Sequence, residues 1–533
     1  MIFWRVKSLD SILATAEKKK LHRSLGALHL IMLGVGAIIG TGIFVLTAEA
    51  AQKAGPGMMI SFIIAGFVCA VAALCYAELS SMVPVAGSAY TYSYAVLGEM
   101  VAWLVGWALV LEYAVAASAV AVGWSGYFVG LLRSFDIQIP AALATGPYAG
   151  GIINLPAVVV SLLVTGLLVL GTRESATFTS VLVAVKVVAL TAFIILVLPV
   201  FNMEHFHPFT PLGGTGVVGA AASIFFAYVG FDAVSTAAEE TKDPQRNVPI
   251  GLIGSLMICT IFYLLVAGGA VGAVGAQPVM DAAGNGLAPG SAALAQQCQA
   301  LAGMGQEPLV CSREALAQVL RQIGWHKVGN LIGLAAFLAL PSVVLMMLFG
   351  QTRIFFVMAR DGLLPEVLSS VHPRFKTPHI VTMVTGVGVT IAAAFLPVGK
   401  LADISNSGTL FAFMVVALAV MILRVKDRGR HRPFRTPGVW LVGPLAVIGC
   451  VVLFLFLPPD AQLVFPIWGA IGLMFYFLYG YRHSHVARGL ATPSDGEDII
   501  SEIWSDDGEE DPHDKTSPSR RNNRGAAPVP GRE

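Results

Sequence analysis

The sequence predicts an all-α polytopic membrane protein of twelve transmembrane helices, with two inverted five-helix repeats followed by two extra helices. Three observations predict it. First, uncharged or nearly uncharged runs of about 20 residues recur along most of the chain, each long enough to cross a ~30 Å hydrocarbon core. Hydrophobic residues make up 56% of the chain and charged residues only 12%, with mean hydropathy +0.75. Second, the Lys and Arg residues segregate: with both termini cytoplasmic, 26 of the 33 fall in cytoplasmic segments, as the positive-inside rule requires. Third, the first and sixth spans are both interrupted by glycine, five spans apart.

In chain order, residues 1–27 form a basic cytoplasmic arm ending in "EKKKLHR". Spans at 28–52, 58–83, 100–132, 154–171 and 178–200 complete the first repeat. The first of them lacks a small-residue cleavage site and leads into further apolar runs, so it reads as a span and not as a cleavable signal. Spans at 215–238, 249–275, 328–350, 379–397 and 403–424 form the second repeat (201–424), which carries an outer loop at 276–327. Two extra helices, 439–457 and 461–481, fill 425–481. Residues 482–533, with "SDDGEEDPHD" and "SPSRRNNRG", have the polar composition of a largely disordered cytoplasmic tail.

The stretch "GAIIGTGIF" (36–44) weakens a helix where lipid cannot repair a lost backbone hydrogen bond. Two readings fit. Gly36-x-x-x-Gly40 is a close-packing face between helices, or the segment unwinds at Ile39–Gly42. Unwound backbone is tolerated in a membrane only where it is buried or lines a cavity. The sixth span carries "FFAYVGFDAV" (225–234), a matching interruption around Gly230. A five-span unit repeated once enters from the opposite side, and glycine-broken helices at matching places in inverted repeats point to a transporter's mid-depth site. The N–H groups beginning a half-helix hold a carboxylate, and freed carbonyls accept from an ammonium group. A zwitterionic amino acid needs both.

These residues carry a resemblance. "GVGAIIGTGIFVLTAEAAQKAGPG" (34–57) resembles the first-helix signature of the amino acid–polyamine–organocation superfamily. "YAELSSMVPVAGSAYTYSY" (76–94), "FAYVGFDAVSTAAEETKDPQRNVPIGL" (226–252), "GQTRIFFVMARDGLLP" (350–365) and "RPFRTPG" (432–438) are similar to its cationic amino acid transporter-like branch, in the bacterial form. The resemblance implies a LeuT-type fold and alternating-access transport of L-amino acids in the cytoplasmic (inner) membrane. Position by position, it implies substrate contacts from Ile39, Gly40, Thr41 and Gly42 in the first helix. It also implies contacts from Phe226, Ala227 and Gly230 in the sixth, with Phe226 as an aromatic lid, and a role near the pocket for Glu112.

Lys186 is the one Lys or Arg well inside a span. It lies about eight residues, ~12 Å, beyond the cytoplasmic end of its helix, and an ionisable group at that depth is functional by default. The resemblance places it where sodium binds in sodium-coupled relatives. Protonated, it would brace first-helix carbonyls near Gly36 and Ile39, and Ser342; losing its proton would release them. Proton coupling without sodium, a permanent tether and snorkelling all remain open.

Glu112 either orients a water beside the substrate side chain or attracts a cationic one, or makes a helix-packing hydrogen bond as a protonated acid. Asp232 caps the resumed sixth helix or holds its unwound segment. Glu78, Glu239 and Glu240 stand near cytoplasmic ends, and Asp403 reads as a helix N-terminal charge. Cys298 and Cys311 share the outer loop and are a candidate disulfide; Cys69, Cys75, Cys259 and Cys450 are apolar packing.

His205 and His207 lack further ligands, so no metal is expected. Nor is any cofactor, since no phosphate loop or dinucleotide fingerprint occurs, nor catalysis, nor a nucleic acid. The expected partners are an L-amino acid, a proton and the lipid bilayer, with any small membrane-protein partner left open. Neutral, small or branched substrates are favoured over cationic ones. Exchange without net proton coupling, or a substrate-gated channel, are the alternatives.

Overall fold

The computed structural model describes residues 25–83, 88–171, 176–238, 241–375, 377–486 and 488. Most of the expected N-terminal arm and C-terminal tail, together with Glu239 and Glu240, lie outside the described residues. Apart from the turns Ala141–Ala144 and Tyr481–His483 and the 3-10 and π turns, the helices are α1 (Ala27–Ile38), α2 (Thr41–Phe44), α3 (Leu46–Ala54), α4 (Met58–Met82), α5 (Ser88–Val96) and α6 (Glu99–Arg133). Next come α7 (Leu155–Leu170), α8 (Ala176–Val197), α9 (Gly213–Ile224), α10 (Ala233–Thr236), α11 (Pro244–Val274), α12 (Ala292–Gly303) and α13 (Ala315–Gln322). The last five are α14 (His326–Arg360), α15 (His379–Phe395), α16 (Val398–Lys426), α17 (Val439–Leu455) and α18 (Pro459–Phe475).

Seven helical stretches among the described residues are long and apolar enough to cross a membrane, and five shorter apolar helices accompany them. The chain is a multi-pass membrane protein. Isolated bridges are the only β pairing among the described residues.

Two of the expected spans are not continuous helices. The first is divided into α1, α2 and α3, and the sixth into α9, a 3-10 turn at Phe225–Tyr228 and α10. Another helix outruns its expected end: α14 continues ten residues past Gly350 to Arg360. An apolar window stops at the first charge, whereas helix geometry continues while backbone bonds and packing allow, and here Arg353 lies over the Phe349 ring at 4.1 Å.

Aromatic packing fixes α4, α5 and α16 around the second interruption. The Tyr76 ring meets Tyr92, Phe231 and Phe413 edge-on, with centroids 5.8, 5.9 and 5.7 Å away. Such edge-to-face contacts suit the ring quadrupole. In the loop at 276–327, Cys298 and Cys311 are joined as a disulfide. That loop is clasped to the end of the first broken helix by Gln52, whose side chain bonds Val279 O, Val279 N and Leu287 O at 2.8–2.9 Å. It also lies against α6, where a Cβ on Gly126 would come within 2.6 Å of Arg313 O.

Candidate functional site

The first interruption is built from two residues. α1 stops at Ile38; Ile39 turns extended (φ −72°, ψ 93°) and Gly40 opens further (φ −141°, ψ −144°) before α2 begins at Thr41. Within the first turn of α2, the N–H groups of Thr41, Gly42 and Ile43 donate to no group among the described residues. The freed carbonyls, by contrast, are met by side chains from three other helices. Tyr263 of α11 donates to Ile38 O at 2.8 Å, Tyr127 of α6 to Phe44 O at 2.7 Å, and Lys186 of α8 to Gly36 O at 2.9 Å. Each donor replaces a partner that the membrane core cannot supply.

The second interruption begins with the 3-10 turn, which ends in extended Val229 (ψ 138°). Gly230 follows with φ +114°, a conformation costly for any residue with a Cβ. A Cβ there would also lie 3.0 Å from Ala37 O and 3.3 Å from Ala37 Cβ. The two interruptions therefore touch through Gly230 and Ala37. They touch again through Gly42, where a Cβ would collide with Cα and Cβ of Ala227. Tyr263 ties them a third time: its hydroxyl lies 2.8 Å from both Ile38 O and Ala227 O.

The glycines do different work. A Cβ on Gly36 would come within 2.5 Å of Val183 in α8, whereas a Cβ on Gly40 would meet only Val343 methyls at 3.6 and 3.8 Å. Gly36 is thus a packing glycine that lets α8 close in, and Gly42 likewise admits the backbone of Ala227. The unwinding expected over Ile39–Gly42 is confined to Ile39 and Gly40, because Thr41 and Gly42 already lie in α2.

The structure buries Ile39, Thr41, Phe226, Ala227, Glu112 and Lys186, all at 6% exposure or less. Phe226 and Ala227 sit in the 3-10 turn facing α2. Glu112 packs on α16, where a Cβ on Gly408 would lie 3.8 Å from its Cβ and Ser405 donates to its backbone carbonyl at 3.2 Å. It makes no hydrogen bond to Ile39–Gly42 or Phe226–Gly230. Its neighbour Tyr113 does reach the second interruption, donating to Asp232 Oδ2 at 3.0 Å. Asp232 makes no side-chain cap on α10. Ser342 donates within its own helix to Ala339 O at 2.7 Å.

Tyr263 gave no sequence signal: a tyrosine in an apolar helix resembles interface packing until its two carbonyl partners are located. A second cluster also escaped notice. Lys53 of α3, Ser223 of α9 and Asp403 of α16 converge, with Lys53 Nζ 3.3 Å from Asp403 Oδ2 and Ser223 Oγ 2.5 Å from Asp403 Oδ1. Asp403 is the sixth residue of α16, beyond the turn where a helix dipole acts. Its reading as a helix N-terminal charge is corrected: it is the acceptor that joins both broken helices to α16.

The amino acid permease family model matches residues 25–478. The "Methylthioribose transporter" of Bacillus subtilis (strain 168) is 42% identical over 485 residues, covering 90% of this chain and 98% of that protein. The "Branched-chain amino acid permease BcaP" of the same organism is 42% identical over 486 residues, with the same coverage. "Cationic amino acid transporter 2, vacuolar" of Arabidopsis thaliana is 36% identical over 430 residues, which is 79% of this chain and 62% of the plant protein.

Proposed function

Because the chain belongs to the amino acid permease family, we propose that it is a secondary active transporter of L-amino acids working by alternating access, with twelve spans in a LeuT-type inverted repeat. The observation that carries this reading is the meeting of the two helix interruptions, bridged by one tyrosine hydroxyl at 2.8 Å from each. The unpartnered N–H groups of Thr41, Gly42 and Ile43 suit a carboxylate, carbonyls at the breaks suit an ammonium, and Phe226 covers the substrate. Neutral, small or branched side chains fit best, in keeping with the name of the branched-chain relative. The chain lies in a cytoplasmic membrane with both termini inside.

Coupling runs through Lys186. Its ammonium group holds Gly36 O, and through it α1, against α8. A charge buried this deeply is costly without such partners, and a neutral amine donates to Gly36 O more weakly than an ammonium group does, so losing the proton loosens the α1–α8 contact. Proton loss towards the cytoplasm frees α1, and no sodium is needed.

A second reading has its own support, since the relative named for methylthioribose is as similar as the one named for branched-chain amino acids. A neutral thio-sugar offers hydroxyls in place of charged ends. The test is a thermal-shift panel on the purified protein with leucine, isoleucine, valine, alanine, arginine and methylthioribose. Proteoliposome uptake without sodium, with and without an inward proton gradient, follows. Stabilisation by neutral amino acids and saturable, gradient-driven uptake support the proposal. Stabilisation by methylthioribose alone rejects the zwitterion site, and non-saturating flux without trans-stimulation rejects a carrier.

A further inference from the structure

A cavity of about 280 Å³ lies where α16 ends and α17 begins, lined by Arg424, Arg428, Arg432, Arg435, Val439 and Trp440. Its inner wall is built rigidly. The Glu78 carboxylate, from α4, accepts from Arg424 Nε and Nη2 at 2.8 and 2.7 Å and from Thr436 N at 2.8 Å, with Arg432 Nε 3.3 Å away. Arg432 is itself buried and donates to the carbonyls of Asp427, Arg430 and Leu423 at 2.6, 2.9 and 3.2 Å. One carboxylate thus meets two of the four guanidinium groups that line the cavity, and its lone pairs are already used. The outer wall differs. Arg428 and Arg435 are exposed, and among the described residues neither side chain makes a hydrogen bond or ion pair.

We propose that this pocket binds the phosphate headgroup of an anionic membrane lipid. Guanidinium groups grip phosphate oxygens in pairs, and a cavity with surplus positive charge at the end of membrane helices is suited to such a headgroup. What selects a lipid over a soluble phosphate is the surface leading away from the cavity. Trp440 and Leu441 open α17 at 64% and 66% exposure, and Ile448, Val452 and Leu455 continue the exposed apolar side. From Leu441 to Leu455 that side runs ~21 Å at 1.5 Å per residue, the scale of an acyl chain. An indole beside the arginines is also the usual headgroup-level anchor. The inference rests on the reading that α16 and α17 cross the bilayer.

The test is native mass spectrometry of the detergent-solubilised full chain titrated with phosphatidylglycerol, phosphatidylcholine and glycerol 3-phosphate. The variants are Arg428→Gln/Arg435→Gln and Arg428→Lys/Arg435→Lys. Phosphatidylglycerol should bind more tightly than phosphatidylcholine. The glutamine pair should weaken it about 25-fold, at roughly fivefold per basic residue, with phosphatidylcholine unaffected, while the lysine pair retains most of the preference. Equal binding of the two lipids, or an unchanged glutamine variant, overturns the proposal. Glycerol 3-phosphate binding as tightly as phosphatidylglycerol overturns the lipid assignment in favour of a soluble anion. A leucine thermal shift measured on the same variant separates this from failure of the transport reading, since neither arginine belongs to the substrate site.

Discussion

Replacing Gly42 with alanine tests the contact on which the proposed substrate site depends. The added Cβ would overlap Cα and Cβ of Ala227 and lie 3.2 Å from its amide nitrogen. Backbone atoms cannot rotate aside as a side-chain tip can. Nor can the two segments separate freely, because Tyr263 holds Ile38 O and Ala227 O at 2.8 Å from one hydroxyl. Overpacking of this kind costs about 1–3 kcal/mol. Charged against the state in which the breaks meet, that becomes roughly 5- to 150-fold weaker substrate binding. Gly40→Ala is the internal control, since its Cβ would meet only Val343 methyls at 3.6 and 3.8 Å, ordinary contact distance. Equilibrium binding of radiolabelled leucine to the purified variants, with a melting curve for each, reads the difference. Gly42→Ala binding leucine as the unaltered protein does, with an unchanged melting temperature, would refute the claim that the two interruptions meet at the site. Equal loss in both variants would refute the division of labour between the glycines.

Lys186→Ala should bind substrate nearly normally while losing uptake driven by an inward proton gradient; proteoliposome uptake at two external pH values checks this, and unchanged pH-driven uptake rejects coupling through Lys186. Tyr263→Phe removes the donor to two buried carbonyls, so it should destabilise the protein by about 1–3 kcal/mol and weaken leucine binding, as melting and binding curves would show. Gly230→Ala forces a side chain into φ +114° beside Ala37 O and should cost on the order of 1–3 kcal/mol; a melting temperature equal to that of the unaltered protein would count against the strained turn.

Much of the helix plan was legible in the sequence because the bilayer imposes two simple demands, an apolar length and paired backbone groups. The interrupted helices were legible for the same reason. Glycines in an apolar run at matching places signal either close approach or release of the backbone, and the structure uses Gly36 and Gly42 for one and Gly40 and Gly230 for the other. Element ends were less legible, as α14 shows by running on through Arg353 and Arg360. Charge marks where an apolar window stops, not where backbone bonding stops.

The convergent residues were harder to read, and the reason is physical. Lys53, Ser223 and Asp403 lie 170 or more positions apart, so each alone resembles a helix-end charge or a packing hydroxyl. Glu78 likewise resembles a solvated acid until Arg424 and Arg432 are brought to it. Lys186 was legible because a lone ammonium at depth has few bland explanations, whereas a tyrosine has many. Yet Lys186, Tyr127 and Tyr263 solve one problem: each supplies a proton to a carbonyl in or beside a broken segment, at Gly36, Phe44, Ile38 and Ala227. Once a membrane helix is known to break, every carbonyl it frees must find a donor. Polar side chains on the neighbouring helices then become candidates for that duty before they are candidates for chemistry. By that criterion Tyr263 ranks with Lys186, because it alone among these donors serves both breaks.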